Sequence, residues 1–166
     1  MSTLVWGMNS NQPVFACKKI GENDRYWIFS LKDPTGYPSV AQGLFSSVID
    51  MTLNGGSGGV IPTQHNIPVS GAGSALDKLS GTRHHNNREA WIVTRDTNHH
   101  FLSYLVSPVG ITGPVISASS AQIQTYVRGG DIKISQDGQR MVCNYASAIS
   151  NFWDESASEI CSFNSE

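Results

Sequence analysis

Apolar and polar positions along this chain alternate in short runs, and none of them keeps the period of a helix over eleven residues. In the second half, residues 79–84, 90–96, 101–107, 131–135, 139–147 and 158–163 are apolar-rich runs, separated by polar clusters at 85–88, 97–100 and 137–138. Runs of that length bounded by turn residues predict strands. In the first half, 14–17 and 25–32 predict a strand pair, the second rich in aromatic and β-branched residues (Tyr26, Trp27, Ile28, Phe29) as strands are. Asp33-Pro-Thr-Gly36 carries proline at the second position of a turn. A strand over 44–53 is broken by the glycine-rich run 54–59. The stretch 60–68 holds Pro62 and Pro68, which restricts it to an edge strand or an extended loop. Residues 70–76 read as a small-residue connection, and 149–157 as a loop bearing Phe152 and Trp153.

The alternation itself carries more information than the strand count. In 90–96, Trp91, Val93 and Arg95 point one way and Ala90, Ile92 and Thr94 the other. Apolar residues therefore lie on both faces, and the same holds for Phe101 and Leu105 against Leu102, Tyr104 and Val106. Strands apolar on both faces are covered on both faces. In an antiparallel protein that requires sheet stacked on sheet on two sides, as between the blades of a propeller. The sharpest turn signal is Asp137-Gly138 between two alternating runs, a hairpin pair that tolerates positive φ.

At 166 residues the chain fits one domain. Its 16 Gly and 7 Pro sit between apolar runs and punctuate many short strands. Charged residues make up 14 %, against roughly 25 % in ordinary soluble domains. A surface wetted by Ser, Thr, Asn and Gln suggests an extracellular setting. The net charge of −2 and the lack of any basic cluster beyond Lys18-Lys19 argue against nucleic acid or an anionic membrane surface as partner. No run reaches the roughly 18 apolar residues of a membrane-spanning helix. The first residues have neither a basic nor an apolar leader region, so either the protein is intracellular or its signal peptide lies upstream of this sequence.

Ile132-Lys-Ile-Ser-Gln-Asp-Gly-Gln-Arg-Met-Val142 resembles the S-P-D-G-K hairpin of bacterial β-propeller blades of the WD40/YVTN-like kind. Further upstream, Tyr26-Trp-Ile-Phe29, the run 47–60, Asp77-Lys-Leu-Ser80, Glu89-Ala-Trp-Ile-Val-Thr94 and Phe101-Leu-Ser-Tyr-Leu-Val106 form an ordered series. Together, over about residues 13–166, these resemble the N-terminal blades of propeller regions in large secreted surface proteins, the gliding-motility-associated group exported by the type IX route. The departures are Gly59 where the pattern has Asp, and Arg95 where it has His. The resemblance implies a partial β-propeller of three to four antiparallel blades, at about 40–45 residues per blade. It also implies a fragment truncated at both ends and a surface-exposed binding or scaffold role with no reaction. A β-sandwich or an irregular meander is the alternative architecture.

Candidate chemistry is sparse. Gly55-Gly-Ser-Gly-Gly59 matches G-x-S-x-G, but Pro62 denies the helix that a nucleophile elbow needs, so a turn is expected. His84-His85 and His99-His100 lie at opposite ends of the 90–96 strand, about 20 Å apart at 3.3 Å per residue. They cannot share a metal, and turn roles are expected, with His85 and His99 the more exposed. No cofactor and no metal is expected. Asp50, Asp77 and Asp131 show no spacing that pairs them as hydrolytic carboxylates and read as turn or cap residues. Ser135-Gln-Asp-Gly138 departs from the sialidase Asp box, since its glycine comes one residue early and no Trp follows. Among the tryptophans, Trp27 and Trp91 are expected in the core, and Trp153 with Phe152 as an exposed ligand contact. Cys143 and Cys161 would face each other if their hairpin were centred near Phe152; a disulfide and buried reduced thiols both fit.

The expected function is thus a non-catalytic, secreted or cell-surface module that binds protein or glycan. Association with its own copies through unpaired edge strands is a further expectation. A propeller-fold hydrolase acting on glycans or peptides is the alternative.

Overall fold

The described residues of the computed structural model are 12–32, 43–120, 130–149 and 152–164, with the backbone alone for 76–77, 146–149 and 152–156. Apart from two 3-10 turns, Asn54–Gly56 and Pro62–Gln64, every regular element among them is a strand. The first sheet contains β1 (Val14–Lys18), β2 (Arg25–Lys32), β3 (Gly43–Asp50) and two short pieces, β4 (Gly59–Val60) and β5 (Ile67–Pro68), which both pair with β3. The second contains β6 (Ala75–Arg83), β7 (Ala90–Asp96), β8 (His100–Ser107) and β9 (Gly110–Ala118), hydrogen-bonded in that order. The third contains β10 (Ile132–Ile134), β11 (Arg140–Ile149) and β12 (Phe152–Ser162). All the pairings inside these sheets are antiparallel.

The double-sided apolar pattern of β7 and β8 is explained by what covers them. Ile92, Leu102, Tyr104 and Val106 pack with Phe29, Leu31 and Leu44 of the first sheet in one cluster. Val93 and Phe101 pack with Ile132, Met141, Cys143 and Tyr145 of the third sheet in another. Ile92 and Val93 are adjacent in sequence and both fully buried, yet they belong to different cores. The fold is therefore all-β, with the middle sheet covered on each side by another.

Short turns set the register. At the β6–β7 turn the His84 N–H donates to the Glu89 carbonyl, and Asn86 Oδ1 accepts from the Arg88 and Glu89 amides. Asn87 there takes a positive φ of 57°. At the β7–β8 turn, Asp96 Oδ1 accepts from the Asn98 and His100 amides, and His99 takes φ 67°. Asp and Asn serve such turns because their side chains cap nearby amides and they tolerate the left-handed region. The β10–β11 hairpin falls at Asp137-Gly138, but only Gly138 has positive φ (67°). Asp137 instead accepts hydrogen bonds from Ser135 Oγ and the Gln139 amide.

Three elements differ from expectation. β9 is a strand where none was predicted, because Gly110, Gly113 and Pro114 punctuate it like a loop. An edge strand tolerates such residues, since its outer hydrogen-bonding groups need no partner. The stretch 149–157 is mostly paired strand: Ile149 sits opposite Phe152, and β12 continues from there. That moves the hairpin apex one residue earlier than expected and the register by two. Cys143 then faces Glu159 and Cys161 faces Met141, and both thiols are free. The strand expected over 44–53 ends at Asp50, where the Thr52 amide and hydroxyl donate to the Asp50 carboxylate.

Candidate functional site: a cleft between the first two sheets

The first two sheets meet along β6, which touches β1, β2 and β3. Contact there is tight: a Cβ on Gly81 would lie 2.6 Å from the Phe15 ring. A cleft of about 320 Å³ lies between the sheets where β9 closes the second of them. That volume is at the lower end of the range for small-ligand sites.

Each wall is held by the local fold. The first sheet contributes Trp27 from β2 and Ser46 from β3, with Ile67 and Pro68 of β5 at the rim. The segment after β5 is pinned to β3, because the Val69 amide donates to the Leu44 carbonyl and the Leu44 amide to the Ala72 carbonyl. Gly43 makes this approach possible: it takes φ 109°, and a Cβ there would lie 2.1 Å from the Ala72 carbonyl oxygen. The second sheet contributes Tyr104 from β8 and Ile111 and Gly113 from β9. Next to these lining residues the two sheets also touch through Gly71 and Pro114, with a Cβ on Gly71 only 2.7 Å from Pro114 Cδ.

Two lining residues carry a buried polar atom with no hydrogen-bond partner: the Tyr104 hydroxyl and Trp27 Nε1. Tyr104 is 1 % exposed. Burial, with a smaller contribution from the negative charge of Asp96, pushes its phenol up to about 12, so it keeps its proton. A buried donor left unmet costs about 1–3 kcal/mol, and both atoms are closed to solvent, so they belong to the packing behind the cleft and do not open onto it. Ser46 Oγ is already engaged, donating to the Ile67 carbonyl at 3.4 Å. Among the described residues, no charged side chain lines the cleft.

A second polar arrangement lies between the second and third sheets. Lys78, Arg95, Tyr145 and Glu159 are all buried. Arg95 Cζ lies 4.4 Å from the Tyr145 ring centroid and Lys78 Nζ 5.5 Å from it, so both cations meet the same π-face system. The Tyr145 hydroxyl donates to Glu159 at 2.7 Å. Glu159 also accepts from Ser119 Oγ, Ser120 Oγ and the Ser120 amide at 2.6–2.7 Å, which ties the end of β9 to β12. Burial alone would raise the Glu159 carboxyl, but the bonds from Ser119, Ser120 and Tyr145 outweigh it and hold it at about 2. Nε and Nη2 of Arg95 find no acceptor. The cluster joins sheets.

Trp27 apart, the residues singled out from sequence fall outside the cleft. Phe152 and Trp153 begin β12, and their side chains lie outside the described residues. Trp27 packs on the first core cluster. Trp91 is half-buried and belongs to neither cluster; its ring stacks on His84, with centroids 6.0 Å apart. The histidines serve turns: His84 Nδ1 accepts from the Asn86 amide, and His100 Nδ1 lies 3.3 Å from Asp96. His85 is exposed and His99 half-buried. No group of three or more His, Cys, Asp or Glu among the described residues is placed to hold a metal. Asp50 pairs with Arg25 at 2.8 Å, and Asp131 accepts from Asn144 Nδ2 at 2.5 Å; the Asp77 side chain lies outside the described residues. Gly55, Gly56 and Gly58 all take positive φ in a turn after β3, and no helix follows Ser57. Burial pushes the Cys17 thiol up to about 11, burial and Glu159 do the same for Cys161, and burial raises Cys143. None is a ready thiolate. Among the described residues, no helix is long and apolar enough to cross a membrane.

Tyr104, Ser46, Gln64 and Ile111 went unnoticed in the sequence as site residues because they are far apart along the chain and only the sheet stacking brings them together. Lys78 and Arg95 left a fainter trace, since each interrupts an apolar run, and Glu159 left none. Compared with family models, with curated proteins and with solved structures, the chain finds no match.

Proposed function

We propose that this chain is a non-catalytic binding module of the secreted or cell-surface kind, built as successive blades of a β-propeller, with the cleft between the first two sheets as its ligand site for protein or glycan. The blade reading is supported by three antiparallel sheets that follow one another in the chain and stack face to face, the middle one a four-stranded meander with β6 toward its neighbours. The observation that carries the binding reading is the cleft itself, about 320 Å³ between the first two sheets and lined by Trp27, Gln64, Ile67, Ser70 and Ile111. Against the hydrolase alternative stand the bonds that engage Asp50 and Asp131 and the protonated thiols.

The indole N–H resonance of Trp27, assigned with Trp27→Phe, tests this directly. The nitrogen-15-labelled chain is titrated with neutral cello-, xylo- and chito-oligosaccharides and, separately, with uncharged peptides. The Trp27 resonance is expected to move with at least one set, and mass spectrometry to find every probe intact. A Trp27 resonance that ignores both sets, or cleavage of any probe, overturns the proposal.

A further inference from the structure

We infer that Asn54 is a self-modifying site: the Gly55 amide closes on its side chain, expels ammonia and leaves aspartate or isoaspartate in the turn that leads into β4. Asn54-Gly55 is the one Asn-Gly pair in the chain. It sits in the exposed stretch 51–57, none of which lines the cleft. The step needs only water. The Gly55 nitrogen bonds to Asn54 Cγ, the Cγ–Nδ2 bond breaks, and the Gly55 proton departs with Nδ2 as ammonia. Water then opens the cyclic imide at either carbonyl. One opening gives an aspartate; the other routes the main chain through the side-chain carbon as isoaspartate. Nothing is oxidised or reduced.

The local geometry favours closure here. A Cβ on the following residue crowds the ring as it forms; Gly55 has none, and the space where one would stand holds nothing within 4 Å. The attacking group is unengaged. The amides of Gly56, Ser57 and Gly58 donate to the carbonyls of Leu53, Asn54 and Leu53, whereas the Gly55 amide donates to no group among the described residues. The Asn54 side chain is held by one hydrogen bond on an exposed turn, from Nδ2 to the Gly58 carbonyl at 2.8 Å.

The chain holds its own comparisons. Asp137-Gly138 is the related pair in the β10–β11 hairpin, but there the Gly138 amide donates to the Ser135 carbonyl, and the carboxylate accepts from Ser135 Oγ and the Gln139 amide. Asn66 and Asn87 share the left-handed backbone of Asn54, yet Ile67 and Arg88 follow them and bring a Cβ to the attacking residue. Neither arrangement offers what Asn54-Gly55 does. The change also reaches β4. A Cβ on Gly59 would lie 2.8 Å from Asn54 Nδ2, so the amide rests against the start of that strand while it bonds Gly58. A carboxylate has no proton to give that carbonyl, and isoaspartate lengthens the backbone, so the turn that seats β4 on β3 loosens.

The test uses the whole folded chain and its Asn54→Gln variant, held in mildly alkaline buffer and sampled over weeks by peptide mapping. Gln keeps the amide but must close a larger, slower ring, and at an exposed position it leaves the fold intact. The original chain is expected to gain about one dalton at Asn54, with aspartate and isoaspartate both present in the mapped peptide, well ahead of any gain at Asn66 or Asn87. The variant is expected to show no gain at that position. In the aged chain the Gly58 amide, which donates to the Leu53 carbonyl, should exchange its hydrogen faster than in the fresh one. Asn54 that stays intact, or that converts no faster than Asn66 and Asn87, overturns the inference. Conversion that leaves Gly58 exchange unchanged overturns the loosening of β4.

Discussion

Phe29→Ala is expected to destabilise the chain by about 3–5 kcal/mol, the cost of deleting a fully buried aromatic ring and leaving a cavity. Phe29 has no exposed surface. On β2 it sits opposite Phe15 on one side and Ser46 on the other, and its ring lies 6.3 Å from that of Trp27. It is a main contribution of the first sheet to the cluster shared with Ile92, Leu102 and Tyr104, so its loss loosens the contact between sheets as well as the packing within one. Urea unfolding at neutral pH measures it. A change below about 1 kcal/mol would mean that the two sheets do not share a core.

The second large effect is in acid. The Glu159 carboxyl is held at about 2 in the folded chain, against an ordinary 4.5. A depressed folded value means that ionised Glu159 stabilises the fold above about pH 4.5, and that this contribution is lost as pH falls from there toward 2. Its full size is about 3 kcal/mol at about 1.4 kcal/mol per pH unit. Asp50, held at about 2 by Thr52 and Arg25, adds acid sensitivity of the same sign, so the comparison with Glu159→Gln isolates the contribution of Glu159. At pH 7 that variant should be less stable by about 3 kcal/mol, and its stability should fall less than the original's between pH 5 and pH 3. Parallel acid profiles for the two chains would show that Glu159 is not the clamp between β9 and β12.

Much of the fold could be read in the residues because β2 and β7 are dense in aromatic and β-branched side chains, and the predicted spans 25–32 and 90–96 coincide with them. The apolar pair Ile92 and Val93 announced a sheet covered twice, since no single-faced sheet hides both. β9 was hidden because its edge position lets glycine and proline stand where a central strand forbids them. The start of β12 was hidden because Asp154, Glu155 and Ser156 look like loop, and strand pairing is a backbone property that such residues do not prevent. The cleft was not legible. Trp27 read as core, which it partly is, and nothing local reveals that its N–H lacks an acceptor, because the missing partner is a fact about β5, β8 and β9 together. Glu159 was hidden for the same reason: it is a single charge until Tyr145 stands between it and Arg95.

The stacking of three sheets underlies the cleft, the clamp and the blade reading alike, and methyl NOEs from Ile92 and Val93 test it most directly. The two residues are neighbours on β7 with side chains on opposite faces. Ile92 is expected to show cross-peaks to the Leu31 and Leu44 cluster of the first sheet, and Val93 to Ile132 and Met141 of the third. Cross-peaks from both methyl sets to the same sheet, or a Val93 that sees only solvent and its own strand, would contradict the account.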